Sequence, residues 1–133
     1  MSGVVKSVLE DWFAAGDAGE FAKFDEYLHP DVVVHAPLGL STQGIDAERN
    51  VWRAALAAIP DLRHEVQEVI VDGDRMAARA IVTGTLHGDF GGVRATGARF
   101  EIDQIVIVHL RDGKASEVWE VADVAALLRN ETA

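Results

Sequence analysis

The chain has 133 residues and a mass of 14.4 kDa, is 49% hydrophobic and 26% charged, and carries 12 basic against 22 acidic residues, a net charge of −10. That is one domain, apolar enough to bury a core and far from the composition of a disordered chain. Zero cysteines exclude disulfides and thiolate chemistry, the acidic balance argues against nucleic acid as a partner, and no apolar run approaches the roughly 18 residues of a membrane span. The opening MSGVVKSVLEDWF places acids where a secretory leader needs an apolar run, so a cytoplasmic location is expected.

Val4, Val5, Val8, Leu9, Trp12 and Phe13 recur at helical spacing, and Gly16 stops the run. Phe21, Phe24, Tyr27 and Leu28 predict a second, short amphipathic helix ended by His29-Pro30. The β-branched run Asp31-Val-Val-Val-His35 predicts a strand. After a loop over 36–44, Ile45, Val51, Trp52, Ala55, Leu56 and Ile59 predict a third helix closed by Pro60. From Leu62 the pattern changes to strands. Residues 64–71 and 75–86 alternate about the turn Asp72-Gly73-Asp74, and a Gly-rich stretch over 88–97 leads into a long strand over 99–110. Asp112-Gly113 turns the chain into a last strand over 115–122, followed by a short helix over 124–129. Helices first and a meander afterwards predict an α+β domain over 1–133, a curved antiparallel sheet wrapped over N-terminal helices and enclosing a hydrophobic pocket. The strand over 100–110 is apolar on both faces, so its outer face is expected to meet a second copy of the chain in a homodimer.

Asp123 ends a strand otherwise made of Val118, Trp119, Val121 and Ala122, either as a pocket carboxylate or as the N-cap of the tail helix. Trp119, four residues earlier, shares its strand face and would desolvate it. His109 depends on the hairpin. A two-residue loop pairs it with Ser116, opposite Asp123, and turns Gln104 to the pocket; a three-residue loop pairs it with Ala115, on Asp123's face. His35 ends the first strand at the edge of the expected cavity. Trp12, Phe24 and Trp52 lie on helical faces, as core or as pocket lining. His29 and His64 sit in polar contexts and are expected at the surface. No His-x-His or His-x-x-x-His spacing, calcium loop, phosphate loop or nucleophile elbow occurs, so neither a metal nor a cofactor is expected.

The run Gly84-Thr-Leu-His-Gly-Asp-Phe-Gly-Gly-Val-Arg-Ala-Thr-Gly97 resembles the G-T-H-x-G-x-[FL]-x-G-x-x-x-T-G segment of SnoaL-like polyketide cyclases. Asp112-Gly-Lys-Ala-Ser-Glu-Val-Trp119-Glu-Val-Ala-Asp123 resembles their D-G-K-[IV]-x-E-x-W-x-x-x-D, and Ile59-Pro-Asp-Leu-Arg-His-Glu ahead of Asp72-Gly-Asp-Arg75 is similar to their middle. The likeness runs from about Phe24 to Leu128. The family's usual His in G-T-H falls on Leu86, with His87 one place late and therefore on the opposite strand face. The resemblance implies the cone-shaped α+β barrel of nuclear transport factor 2-like proteins, with Asp123 as acid and base. It also implies a His and a Gln facing that Asp, where His109 matches the His and Ile107 stands at the Gln position. The implied activity is cofactor-independent proton transfer by Asp123 on a small hydrophobic carbonyl compound, giving aldol-type cyclisation or isomerisation. Epoxide hydrolysis or isomerisation in the same pocket is the alternative enzyme, and a non-catalytic ligand-binding or dimerisation domain the alternative class. An open pocket with the Asp123 carboxylate exposed to it favours the enzyme; one plugged by Trp12, Trp52 and Trp119 favours the binding domain.

Overall fold

A computed structural model of the chain describes residues 7–127. Helix α1 (Val8–Asp17) begins at a capping box, in which Ser7 Oγ accepts the Glu10 N–H at 3.1 Å and Glu10 Oε1 accepts the Ser7 N–H at 3.2 Å. Val4 and Val5 of the expected helix lie outside the described residues. The single helix expected next is instead a 3-10 turn (Phe21–Lys23) running into α2 (Phe24–Tyr27). Strand β1 (Leu28–His35) then starts before Pro30, not after it. Its pairing with the last strand breaks between Leu28 and Val33, so the N–H that Pro30 lacks falls in the gap. A two-residue strand β2 (Thr42–Gln43) precedes α3 (Ile45–Ala58). The remaining strands are β3 (Arg63–Asp72), β4 (Arg75–Thr85), β5 (Arg99–Arg111) and β6 (Lys114–Ala122). Residues 125–127 open the tail helix, whose remaining expected residues lie outside the described chain.

The six strands form one curved, unclosed sheet in the order β2-β1-β6-β5-β4-β3. Every junction is antiparallel except β1 with β6, which is parallel because β1 reaches the sheet before the helices and β6 returns beside it. The inner face buries Met76, Ala78, Ala80 and Val82 of β4 and Phe100, Ile102, Val106 and Val108 of β5 against the helices. Trp12 and Phe24 are fully buried at its centre, their rings edge-on at 6.4 Å and each also meeting Trp52. The outer face leaves large apolar side chains in solvent, with Ile105 47%, Ile107 45% and Val121 68% exposed. No helix of the described chain is long and apolar enough to cross a membrane.

The β5–β6 loop is the two-residue one, with Gln104 turned to the cavity, but His109 does not pair with Ser116 as that loop predicts. Arg111 pairs with Lys114 around a two-residue turn, Asp112 and Gly113, both at positive φ (54° and 77°). A bulge between His109 and Leu110 then pairs His109 with Glu117. One extra residue reverses the facing of everything beyond it.

Candidate active site

Past the bulge, Val118, Glu120 and Ala122 point inward opposite Val108, Val106 and Gln104, whereas Glu117, Trp119 and Val121 point outward opposite His109, Ile107 and Ile105. Three side chains expected at one site therefore do meet, but on the outer face. The His35 ring stacks on Trp119 at 5.2 Å with its Nε2 2.7 Å from Glu117 Oε2, and the His109 ring meets Trp119 edge-on at 4.8 Å. None of the three lines the cavity. Asp123 is exposed, its N–H donating to the Asp103 carbonyl at 3.0 Å as the ladder ends, and it does not line the cavity either. Trp119 does share Asp123's face, as its spacing predicts; that face is the convex one.

The cavity has a volume of about 140 Å³ and lies between α3 and the inner face of the sheet. Trp52, Val51 and Ala55 form its helical wall, Val82, Phe100, Ile102 and Ala122 its sheet wall, and Leu38, Leu40 and Phe90 its loops. Of the residues expected to line it, Trp52 and Gln104 do; Trp12 and Phe24 belong to the core behind Trp52. Four polar side chains reach this apolar space: Glu48, Glu120, Gln104 and His64.

Glu48 is 3% exposed and sits one helical turn before Trp52, on the same face of α3. Its Oε1 accepts from Thr42 Oγ1 at 2.6 Å and its Oε2 from Trp52 Nε1 at 3.0 Å. Burial raises its pKa, and these two hydrogen bonds oppose the rise. Glu120 has no such partner among the described residues. Burial pushes its carboxyl group up to about 8, with the charge of Glu48 adding to the effect. At neutral pH it is mainly the uncharged acid. Gln104 is 7% exposed, and its Oε1 is buried without a hydrogen-bond partner. Such an acceptor in an apolar cavity suits a ligand hydroxyl.

His64 is a further correction, since its side chain is only 9% exposed and lines the cavity. The polar neighbours that suggest a surface position are real, but β3 turns the imidazole inward opposite Val82. No three metal-ligating side chains come together among the described residues. The signal for Glu120 is a carboxylate two residues from each of Val118 and Ala122, all on one strand face. It is readable once the face is known.

The sequence profile of the SnoaL-like polyketide cyclases matches residues 6–130. The chain belongs to the SnoaL-like polyketide cyclase family. Among solved structures, TsrD from Streptomyces laurentii is 28% identical with a TM-score of 0.83, over 92% of this chain and 90% of that one. IdmH from Streptomyces antibioticus is 26% identical with a TM-score of 0.81, over 95% and 96%. A SnoaL-like polyketide cyclase from Agrobacterium tumefaciens shares the fold at 23% identity and a TM-score of 0.79, over 93% and 94%. No curated protein matches the chain. Within the SnoaL-like fold, the carboxyl groups that the geometry places in the cavity are those of Glu48 and of Glu120, the latter three residues before Asp123.

Proposed function

We propose that the protein is an enzyme acting on a small hydrophobic carbonyl compound by general acid–base catalysis, with Glu120 in the role that the family resemblance implies for Asp123. The observation that carries this reading is the carboxyl group of Glu120 on the wall of an apolar cavity, where burial favours its uncharged form. A carboxyl group with a pKa near 8 holds a proton at neutral pH and gives it up readily, the poise that proton transfer needs. In an aldol-type closure Glu120 protonates the acceptor carbonyl oxygen as the new C–C bond forms, then regains a proton. Gln104 Oε1 accepts a hydroxyl hydrogen of the substrate, and the cavity walls exclude water. Trp12 and Trp119 do not plug the cavity, and the carboxyl group that supports an enzyme there is that of Glu120 in place of Asp123.

The probe is 4-hydroxy-4-phenylbutan-2-one, a one-ring aldol whose cleavage releases benzaldehyde and is followed by absorbance. The parent protein is expected to cleave it above the buffer rate. Glu120→Gln should lose about 10²- to 10⁴-fold while folding normally, and Asp123→Asn should keep the parent rate. A parent no faster than buffer, or a folded Glu120→Gln as fast as the parent, overturns the reading. Loss in Asp123→Asn alone returns the role to Asp123.

The outer face supports a second part of the proposal, a homodimer. Ile105, Val121 and Ile107 are neighbours across β5 and β6, beside half-buried Trp119, and form a continuous exposed apolar row. A second copy turned about a two-fold axis places the same row against itself. Sedimentation should show a species of twice the 14.4 kDa chain mass, and Val121→Asp should return it to single chains. Single chains in the parent at micromolar concentration count against the dimer.

A further inference from the structure

Across the cavity from β6, one pair of side chains remains outside the scheme above. Asp17, the last residue of α1, accepts two hydrogen bonds from His64: the backbone N–H donates to Oδ2 at 2.6 Å, and ring Nδ1 lies 2.8 Å from Oδ1. A carboxylate can only accept, so the proton of the neutral imidazole sits on Nδ1. The ring is held on two further sides, by Phe13 at 4.7 Å and Trp52 at 5.1 Å. Nε2 has no hydrogen-bond partner among the described residues, yet it is not among the buried polar atoms left without one. Its lone pair is therefore unshared among the described residues, on a residue of the cavity wall.

We propose that His64 Nε2 is the base that removes the proton from the nucleophilic carbon of the substrate, with Asp17 as its positioning residue. The proposal rests on the acid–base reading of Glu120 and supplies what that reading lacks, because an acid that is mainly protonated at neutral pH is a poor base. The geometry suits the division of labour. Glu120 on β6 and His64 on β3 are three strands apart around the curved sheet, so a substrate between them meets a base at one end and an acid at the other.

The step balances without a co-reactant. Nε2 takes the proton of the carbon next to one carbonyl, and the C–H pair becomes the enolate. The enolate carbon attacks the second carbonyl of the same molecule, forming the C–C bond. The π pair of that carbonyl goes to its oxygen, which takes the proton of Glu120 and becomes a hydroxyl. His64 is left as an imidazolium beside the Asp17 carboxylate, and Glu120 as a carboxylate. Transfer of one proton from the imidazolium to Glu120 through solvent restores both. Cleavage of an aldol runs the same steps in reverse, with the imidazolium protonating the departing carbon.

A purely structural role is the competing account, since Asp17 ties the end of α1 to the start of β3. His64→Asn separates the two, because its amide N–H can replace the Nδ1 donor toward Asp17 while the Nε2 base is removed. On 4-hydroxy-4-phenylbutan-2-one, His64→Asn should lose at least 100-fold in kcat with KM within about threefold and the fold intact. Asp17→Asn should lower kcat by about tenfold and release the ring to the other tautomer, seen in two-bond ¹H–¹⁵N imidazole spectra. In the parent the same spectra should show His64 protonated on Nδ1, with the Nε2 resonance moving when phenol is added to fill the cavity. Parent kcat in a folded His64→Asn, beside a Glu120→Gln that has lost it, overturns the proposal and leaves the role of Glu120 standing. A parent His64 protonated on Nε2, or an Nε2 resonance indifferent to phenol, overturns it without reference to turnover.

Discussion

At pH 9 the Glu120→Gln protein is expected to be more stable than its parent, although it lacks the acid to which the proposed function assigns turnover. The carboxyl group of Glu120 ionises near the ordinary value of 4.5 in the unfolded chain and at about 8 in the folded one. Between those two values the folded chain holds a proton that the unfolded chain has released. Stability conferred by the neutral acid is therefore complete below about pH 4.5 and is lost as the pH rises through 8. Each pH unit in that window costs about 1.4 kcal/mol, so the upper bound on the loss is roughly 5 kcal/mol. A glutamine fills the same space and does not titrate. Denaturant unfolding at pH 5 and pH 9 should show the parent losing several kcal/mol more than Glu120→Gln over that interval. Other groups titrate in both proteins and largely cancel in the difference. Parallel stability curves would falsify a carboxyl group held neutral by burial. On the proposed function, the gain at high pH on removal of the acid is the stability that Glu120 gives up for proton transfer.

The second large effect is expected from Gly16→Ala. Gly16 is buried in the last turn of α1, where alanine is the better helix former by up to about 1 kcal/mol. A Cβ at that position would lie 2.4 Å from Trp52 Cζ3 and 2.5 Å from Cε3. An indole cannot yield as a flexible chain end would. This one is hemmed in by Trp12, Phe13, Phe24 and His64, and its Nε1 is bonded to Glu48. Overpacking of this kind costs about 1 to 3 kcal/mol and sometimes more, which exceeds the helical gain. A net destabilisation of about 2 kcal/mol is expected from denaturant midpoints. Turnover should fall with it, because Trp52 is both a wall of the cavity and a donor to Glu48. A Gly16→Ala protein as stable and active as the parent would mean that α1 and α3 pack more loosely than the structure shows.

Most of the architecture can be read from local pattern. Alternation finds β3 to β6 to within about a residue at either end, the spacing of Ile45, Trp52 and Ala55 finds α3, and Gly84 to Gly97 with Asp112 to Asp123 identify the family. These signals survive because they depend on neighbours a few residues apart. The same parity correctly puts Trp119 and Asp123 on one face and Glu120 on the other. What no local pattern carries is which face looks inward. The bulge between His109 and Leu110 brings His109 beside Trp119, and the wrap of the sheet over α1 and α3 then makes that side convex. His35, His109 and Trp119 consequently assemble in the open, while Glu120, outwardly an ordinary acidic residue, enters the cavity. Long-range contacts settle the rest. Glu120 owes its raised pKa to burial, with a further push from Glu48 on another element, and the inward turn of His64 toward Asp17 joins positions 47 residues apart. Burial and through-space charge are sums over every element that packs around a group, so they come into being only when the chain closes on itself.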